Sequence, residues 1–359
     1  MNRRLFLQAA ACGALVLAPA RAEDAAVVAR NLRRPMAPGG GIAEMLRLAV
    51  LAPNGHNTQG WRFRCAGRSI ELAVDLTRRT PVVDPDDHHL YVSLGAAAAN
   101  LKLAGRAAGR PGDLAFGEDG RIRYDWTAAP PAAEPLADAI LKRQSTRSVY
   151  DGRPLANAEL NALAAAGRGE GVRLALVIDR PRLNAIRDLV VAGNDAQMSD
   201  PAFVAELKSW LRFSERDAVR RGDGLYTATT GNPTLPGFLP LSIDRLIFDL
   251  FVGKDSEDDK YAEQMKSSAG VAVFFGDKAD PRHWASVGAA AERFLLTATA
   301  RNIRCAFVNQ PVEVPRFRPA LAALLGEKGL RPDLVIRFGR TSPLPFSLRR
   351  PVAAVARFA

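Results

Sequence analysis

The chain has few cysteines, histidines and aromatic residues for its length of 359 residues. Its three cysteines are too few for a disulfide scaffold, since Cys12 lies in a leader-like segment and Cys65 and Cys305 remain. A bridge between these two stays open, but we expect two unpaired, buried thiols. The histidines show no zinc-site spacing; they are His56, His88, His89 and His283. We expect the adjacent pair His88-His89 at the surface.

Several phosphate-binding and catalytic motifs are also missing. The chain contains no G-x-x-x-x-G-K-[ST] loop, no G-x-G-x-x-G after a predicted strand and no G-x-S-x-G turn. The acidic runs Asp84–Asp87 and Glu257–Asp259 lie in polar, loop-like stretches and are expected at the surface. An enzyme that lacks an evident nucleophile or acid–base set would depend on a cofactor for its chemistry.

Residues 1–22 have the pattern of an export signal. Arg3 and Arg4 precede an apolar run over residues 9–18 and an A-x-A cleavage pattern at 20–22, and the run is too short to span a bilayer. The paired arginines and the following Leu-Phe-Leu resemble a twin-arginine signal. A Sec signal and, more weakly, a lipoprotein signal at Cys12 stay open. We expect the twin-arginine export machinery as a partner, folded export to the periplasm, and no stable membrane insertion after processing.

The charge of the chain is basic but dispersed. There are 49 Lys and Arg residues against 38 Asp and Glu residues, a net charge of +11. Removal of residues 1–22, which contain three arginines, lowers it to +8. The cationic residues form no stripe and aromatic residues are few, so we expect no nucleic-acid partner. Phosphate-bearing small molecules or anionic surfaces are the remaining inference.

An internal repeat predicts two related halves. The segment 93–98 (SLGAAA) recurs as 286–291 (SVGAAA), at an offset of 193 residues. Both copies have the composition of long helices whose small residues permit close approach, although alanine-rich helices also match by chance. The proline-rich stretch 130–135 is the predicted linker, so the halves are expected at 23–135 and 136–359.

The predicted elements make each half an α+β unit with a mainly antiparallel sheet. The first half has predicted strands at 61–64, 70–74 and 121–126 and a helix at 90–108. The second has predicted helices at 136–143, 157–166 and 284–301 and strands at 172–178, 271–275, 306–308 and 334–338. Residues 195–266 have no counterpart in the first half and carry their own aromatic residues, which are Trp210, Phe213, Tyr226, Phe238, Phe248 and Phe251. An insertion of this size predicts a lid or cap.

The stretch 51–60 (LAPNGHNTQG) connects a predicted helix to the strand that begins at Trp61. Pro53, Asn54 and Gly55 end the helix and leave backbone N–H groups free, and Asn57 adds an amide side chain. Such a loop can present polar groups to the edge of a flat heterocycle. An ordinary turn rich in Pro, Gly and Asn stays open.

Two clusters of arginine could bind phosphate. In residues 143–147 (RQSTR), two guanidinium groups flank hydroxyl side chains, and arginine presents a planar fork of donors to phosphate oxygens. A second cluster, Arg349-Arg350, lies near the C-terminus. A solvated helix end and a basic tail are the respective alternatives.

Together these stretches resemble the nitroreductase family of flavoproteins. Residues 52–61 (APNGHNTQGW) are similar to its A-P-S-x-x-N-x-Q-P-W loop, and residues 143–147 to its R-R-S-x-R phosphate motif. Residues 309–313 (NQPVE) resemble its P-I-E-G-like loop, and 349–351 (RRP) its C-terminal basic segment. Asn54, Gly60 and Gln144 depart from the pattern. Each motif occurs once, in reversed order and in different halves, which resembles the Acg-like branch of fused halves.

The resemblance implies a monomeric pseudo-dimer with one FMN site between its halves. It implies that the phosphate and ribityl chain are held by Arg143, Ser145, Arg147, Arg349 and Arg350. The ring edge would be contacted by Pro53, Asn54, Gly55 and Asn57, and flavin N5 approached by Val312 and Glu313. No catalytic residue and no metal are implied, and His56 is expected to be structural or to contact the lid.

The implied activity is two-electron flavin chemistry on a small-molecule acceptor, such as a nitro compound, a quinone or another unsaturated compound. An alternative is an FMN-sequestering storage protein in which the lid closes over the flavin. A third interpretation is an interaction domain that keeps the fold without the cofactor.

Overall fold

The computed structural model describes residues 24–37, 39–232, 234 and 254–359, without the side chains of 254–256. The predicted signal at 1–22 and three aromatic residues of the insertion (Phe238, Phe248 and Phe251) lie outside the described residues. Among the residues described, no helix combines the length and the apolar character needed to cross a membrane.

Strands and helices are numbered in chain order. The strands are β1 Trp61–Ala66, β2 Ser69–Val74, β3 Gly112–Phe116, β4 Ile122–Trp126, β5 Val172–Val177, β6 Leu211–Arg212, β7 Leu225–Tyr226, β8 Gly270–Gly276, β9 Arg304–Phe307, β10 Pro332–Gly339 and β11 Ala356–Phe358. The helices are α1 Ala25–Leu32, α2 Ile42–Ala49, α3 His88–Ala107, α4 Pro135–Lys142, α5 Asn157–Ala166, α6 Arg180–Met198, α7 Pro201–Trp210, α8 Glu215–Arg221, α9 Lys254–Lys266, α10 Pro281–Ala300, α11 Gln310–Glu313, α12 Arg318–Leu324 and α13 Val352–Val355.

The two large sheets share one topology. In the first sheet the order is β1-β2-β4-β3, and in the second it is β5-β8-β10-β9. Every neighbouring pair in these two sets is antiparallel. A 20-residue helix follows the second strand of each sheet in chain order: α3 connects β2 to β3, and α10 connects β8 to β9. This correspondence confirms the predicted α+β class and the predicted pair of related halves.

The repeat lies where the two long helices cross. A Cβ atom added to Gly95 of α3 would lie 1.8 Å from the carbonyl oxygen of Ala285. The same atom on Gly288 of α10 would lie 1.8 Å from the carbonyl oxygen of Val92. At the 193-residue offset, Gly95 corresponds to Gly288 and Val92 to Ala285. The crossing is therefore isologous, as in a two-fold symmetric dimer, but lies within one chain.

The strands differ in how many faces they bury. In β1, buried and exposed residues alternate, because one face packs on the helices and the other meets solvent. Strands β8 and β10 are buried along their whole length. One face of the second sheet packs against α5 and α10 and the other against α6 and α12. The two central strands therefore form the floor of a three-layered second half.

The insertion replaces a tight hairpin of the first half. Strands β1 and β2 are joined by a turn at 67–68, whereas the equivalent strands β5 and β8 are separated by residues 178–269. This connection begins with α6 and ends with α9, and these two helices pack together. It is longer than the predicted excursion at 195–266, because the whole of α6 belongs to it.

The C-terminal segment returns to the first half. Strand β11 pairs in parallel with β1, with Phe63 opposite Ala356, and extends the first sheet to five strands. The N-terminal helix α1 packs against α8 of the insertion, with Ala29, Ala218 and Leu348 in one apolar cluster. Both ends of the chain therefore cross the boundary predicted at residue 135.

The exposure of single side chains tests several of the sequence predictions. Cys65 and Cys305 are free and buried, as predicted; burial raises the pKa of Cys65 to about 11 and of Cys305 to about 12. The surface prediction for His88 and His89 is wrong, since they are 1% and 9% exposed. The surface prediction is also wrong for Asp84, which is buried. Its carboxylate is satisfied there because it accepts the backbone N–H groups of His89 and Leu90 at the start of α3.

We expect Gly95→Ala and Gly288→Ala to destabilise the protein. Alanine is the better helix former, yet the added methyl group would meet backbone atoms that cannot move independently, and overpacking of this kind costs about 1–3 kcal/mol. Thermal or urea denaturation measures the loss. Gly41→Ala is the control, because nothing lies within 4 Å of its added methyl group. A Gly288→Ala protein as stable as this control would contradict the close crossing.

Candidate functional site

A cavity of about 250 Å³ lies between the two halves. Its lining comes from the loop at 53–56, from facing residues of α3 and α10, from the segment after α4 and from the inserted helices. Four of the residues by which α3 and α10 face the cavity are small (Ser93, Ala96, Gly288 and Ala291), and His89, Val92 and Glu292 line it beside them. The volume is close to the roughly 300–1,000 Å³ typical of ligand sites.

The loop at 53–60 holds an unusual backbone conformation. His56, Asn57 and Gln59 have φ angles of 47°, 54° and 55°, in the left-handed region that non-glycine residues seldom adopt. A local bond helps to fix it, because the backbone N–H of Gln59 donates to Oδ1 of Asn54 over 2.8 Å. Strain of this kind persists only where the surroundings determine it.

Two distant segments supply those surroundings. The side-chain amide of Asn57 donates to the carbonyl oxygens of Gly224 and Leu348, over 3.0 and 3.2 Å. The amide of Gln59 donates to the carbonyl of Gly222 and accepts the N–H of Arg350, over 2.9 and 2.8 Å. The loop is thus tied to the insertion and to the C-terminal segment at once.

Pro53, Asn54 and Gly55 line the cavity, whereas Asn57 does not. The structure therefore divides the predicted loop into a part that faces the cavity and a part that anchors it.

Arg143 and Arg349 are also anchors in this structure. Arg349 donates to the carbonyls of Val50, Leu51 and Ala52 over 2.7–3.2 Å, and Arg143 donates to Leu51 over 2.9 Å. These carbonyls lie at the C-terminal end of α2, where positive charge is favourable. Neither arginine is among the cavity-lining residues. Both fix the start of the loop from behind.

Glu292 is the acidic side chain that lies beside the buried Arg143 and interacts electrostatically with Arg143 and Arg349. Its carboxylate is fully buried, and Oε1 lies 3.5 Å from Nε of Arg143. Burial raises the pKa of Glu292 to about 7, against the opposing effect of Arg143. The side chain also lines the cavity.

Arg147 and Ser145, by contrast, both line the cavity. Among the described residues, no hydrogen bond or ion pair is made to the Arg147 guanidinium. Burial lowers the pKa of Arg147. Burial and the charge of Arg147 together lower the pKa of His56 to about 4. Glu257 of the cavity wall acts on the pKa of Arg147 in the opposite direction to burial, but it forms no ion pair with the guanidinium. A half-buried cation without a direct ion pair can stabilise an anion bound beside it.

The backbone around Arg147 is held by Arg337 and Gln264. Arg337 is fully buried and donates to the carbonyls of Thr146 and Ser148, over 3.4 and 2.8 Å. The amide of Gln264 donates to the carbonyl of Arg147 itself over 2.7 Å. The guanidinium of Arg147 therefore projects from a fixed stretch of chain.

Glu313 is the last residue of the short helix α11. It lines the cavity, while Val312 is buried in the apolar core below. Oε2 of Glu313 accepts the amide of Gln197 over 2.7 Å, and Oε1 lies 3.6 Å from Nε2 of His89. Burial raises the pKa of Glu313 to about 7.

The structure thus separates the predicted site residues into two groups. Pro53, Asn54, Gly55, Ser145, Arg147 and Glu313 face the cavity, and Asn57, Arg143, Val312, Arg349 and Arg350 lie behind it. Their predicted contacts with FMN stay predictions for both groups.

The sequence predicted the insertion as a lid or cap, but it did not identify which inserted residues line the cavity. The inserted residues Glu257, Lys260, Tyr261 and Gln264 line the cavity from α9. Their spacing places them on one face of a helix, a pattern that the sequence does contain. Asn194, Gln197 and Met198 face the cavity in the same way from α6. Among the described residues, no group of three His, Cys, Asp or Glu side chains is placed to hold a metal ion.

Comparison with known proteins gives distant relatives of similar length. No family model matches the chain. A protein of Mycobacterium tuberculosis H37Rv named "Putative NAD(P)H nitroreductase" is 27% identical over 330 residues, which cover 88% of this chain and 91% of the relative. A second protein of that strain, named "Putative NAD(P)H nitroreductase acg", is 23% identical, with 88% and 94% covered.

The solved structures are more remote. The FMN-dependent nitroreductase NfnB of Mycobacterium smegmatis is 15% identical, with a TM-score of 0.40, and the match covers 62% of this chain and 98% of that chain. The curated relatives, in contrast, are similar to this chain over nearly its whole length.

Proposed function

We propose that the protein is an FMN-binding oxidoreductase of the nitroreductase type that acts on a nitro compound, a quinone or another unsaturated acceptor. The observation that carries the proposal is the Arg147 guanidinium, which faces a cavity between two halves without a partner among the described residues. The names of the curated relatives support it, as does the resemblance of the loop at 52–61 to a flavin-binding loop.

The donor set of the cavity fits FMN in chemical terms. Arg147 and Ser145 offer a cation and a hydroxyl to a phosphate. The small residues of α3 and α10 would let a flat ring approach, and the strained loop presents Asn54 and Gly55 to a polar ring edge. Arg143 and Arg349 would act from behind this loop. Because the pKa of His56 is lowered to about 4, the cations that line the cavity within the described part of the chain are Arg147 and Lys260.

Bound FMN would supply two-electron transfer to an acceptor in the same cavity. The protein would hold the phosphate, orient the ring between the loop and the long helices, and exclude water through the insertion. Several inserted side chains that line the cavity are apolar: Met198, Phe203, Leu207, Leu211 and Leu225. This wall favours an acceptor with an apolar face.

We also propose that the protein is exported in the folded state by the twin-arginine route and acts in the periplasm. The basis is the Arg3-Arg4 pattern of the sequence, which lies outside the described residues. Because NAD(P)H is not expected in that compartment, we propose a different electron donor or slow reductase activity there.

A second candidate function is storage or sequestration of FMN. The insertion favours it, because α6, α7 and α9 all contribute to the wall of the cavity. Such a wall would retain the enclosed cofactor, and it would also keep an acceptor out of the cavity.

Replacing Arg147 by alanine tests the cofactor. We expect about 2–4 kcal/mol weaker binding of FMN, since the phosphate would lose a charged hydrogen-bond donor in a buried site. The flavin absorbance of purified protein and titration of the apoprotein with FMN measure the change. The exposed Arg153→Ala is the control. If both variants bind FMN like the parent, Arg147 is not part of the site; if the parent ignores added FMN, the proposed function is wrong.

Reoxidation of the reduced protein distinguishes the enzyme from the storage protein. After anaerobic reduction with dithionite, an enzyme would lose its electrons rapidly to a quinone or a nitroaromatic compound. A storage protein would keep its flavin and reoxidise slowly, because the insertion would block the acceptor. Stopped-flow absorbance gives the rate, with the acceptor concentration varied to separate binding from transfer.

Replacing both Arg3 and Arg4 by lysine tests the export route. A receptor that reads the arginine pair would no longer bind the signal, so we expect the precursor to accumulate in the cytoplasm of a bacterial host. Fractionation and immunoblotting measure its distribution. Continued export of the double variant would favour the Sec route instead.

A further inference from the structure

A row of titratable side chains runs from the cavity into the protein at the start of α3. Its inner member, Glu313, has a side chain that is 19% exposed, whereas the other three members are buried. It begins at Glu313, which lines the cavity, and continues through His89 and His88 to Asp333. Oε1 of Glu313 is 3.6 Å from Nε2 of His89, and the rings of His89 and His88 are 4.5 Å apart between centroids. Nε2 of His88 is 3.0 Å from Oδ1 of Asp333.

Polar atoms along this row are buried without a well-aligned hydrogen bond among the described residues. They are Nε2 of His88, Nε2 of His89 and Oδ1 of Asp333. The three side chains are 1%, 9% and 1% exposed. Such groups are usually satisfied in proteins, and those that are not need an explanation.

The outer end of the row approaches solvent. Nε of Arg331 is 3.9 Å from Oδ1 of Asp333, and Nη1 of Arg331 is 2.5 Å from Oδ2 of Asp86. The side chain of Asp86 is 37% exposed. Oδ2 of Asp333 accepts the backbone N–H of Gly276, so this carboxyl group is fixed at the end of β8.

We propose that Asp333, His88, His89 and Glu313 form a path that carries protons from the Asp86–Arg331 surface to the cavity, with Glu313 as the group that protonates the acceptor. The inference rests on the proposed function. It makes Glu313 a catalytic residue and assigns His88, His89 and Asp333 to its reprotonation.

The chemistry requires such a donor. Reduction of a quinone to a hydroquinone takes up two electrons and two protons. A hydride equivalent brings both electrons and one proton, so a second O–H bond needs a proton from elsewhere. In this step the O–H bond of the neutral Glu313 carboxyl breaks, and its proton passes to the acceptor oxygen, leaving a carboxylate.

The carboxylate is then reprotonated along the row. His89 releases a proton from Nε2 to Glu313 and takes up one at Nδ1, since an imidazole can accept at one nitrogen and donate at the other. His88 works in the opposite sense: it releases a proton from Nδ1 to His89 and takes one up at Nε2 from the carboxyl group of Asp333, whose Oδ1 lies 3.0 Å from that nitrogen. Asp333 regains its proton from solvent, so no net charge stays inside.

The surrounding charges agree with this assignment. Burial raises the pKa of both Glu313 and Asp333 to about 7, so each can hold and release a proton near neutral pH. Asp84 reinforces the rise at Glu313, whereas Gln197 and Arg318 oppose it.

The histidines are held neutral by their surroundings. Burial lowers the pKa of His88 and His89 well below its usual value, and Arg331 and Arg318 act in the same direction. Asp86 opposes them. Among the described residues, Tyr261 of α9 also interacts with Glu313, and burial raises the pKa of Tyr261 to about 12.

Hydrogen–deuterium exchange of the Glu313 carboxyl proton tests the path without turnover. Infrared spectroscopy of the purified protein follows this proton, and the band lost in Glu313→Gln identifies it. We expect the band to fade as pH rises through about 7. His88→Gln keeps an amide near the position of Nε2 but cannot relay a proton, so exchange should become about tenfold slower or more. His283→Gln, on the outer end of α10, is the control.

The reoxidation rate provides the second measurement. Glu313→Gln should slow acceptor reduction by about 100-fold, the contribution typical of a general acid, while the flavin absorbance stays unchanged. The rate of the parent should fall above pH 7, and His88→Gln should raise the solvent isotope effect. If His88→Gln does not fold, Asp333→Asn replaces it in both measurements.

The outcomes separate the two proposals. If the protein binds no FMN, the proposed function fails, and the exchange measurement still decides whether the path exists. The path is overturned if FMN binds and is reoxidised by an acceptor, but His88→Gln (or Asp333→Asn in its place) has the same exchange rate and solvent isotope effect as the parent. Glu313 is not the proton donor if Glu313→Gln keeps the parent's reoxidation rate.

Discussion

The close crossing of α3 and α10 is the contact on which the rest of the structure depends. Gly95 and Gly288 let two backbones meet where any side chain would separate them. The crossing sets the relative position of the two sheets, and with it the distance between the loop at 53–56 and the segment at 145–147. The same helices then present small residues to the cavity. One packing constraint therefore determines both how the halves join and how wide the space between them is.

The outline of this fold could be predicted from the sequence because its signals are local or periodic. The 93–98 and 286–291 repeat identified the helix pair, and alternating or continuous apolar runs identified most strands of both sheets. The strand at 112–116 was missed, because only Leu114 and Phe116 of its five residues pack against the core, and two apolar positions make a weak pattern. The three-residue strand at 356–358 exists only through its pairing with β1.

The candidate site was harder to predict, since it depends on contacts between distant residues. Arginines at 143 and 349 have the composition of a phosphate clamp, yet tertiary packing directs them to the carbonyls of residues 50–52. His88 and His89 look like a polar pair at a helix start, but the second half covers them. No local pattern shows that a partner 245 residues away in the sequence, such as Asp333 for His88, will lie beside it.

The pairing of β11 with β1 also constrains the order in which the chain can be completed. Strand β1 is among the first sheet elements to be synthesised, but its outer neighbour consists of residues 356–358. Until those residues leave the ribosome, the outer edge of β1 has unpaired backbone groups, which is the kind of edge that invites association with other chains. A contact of such large sequence separation forms late and slowly. The finished first half is therefore a product of the whole chain rather than of its own residues.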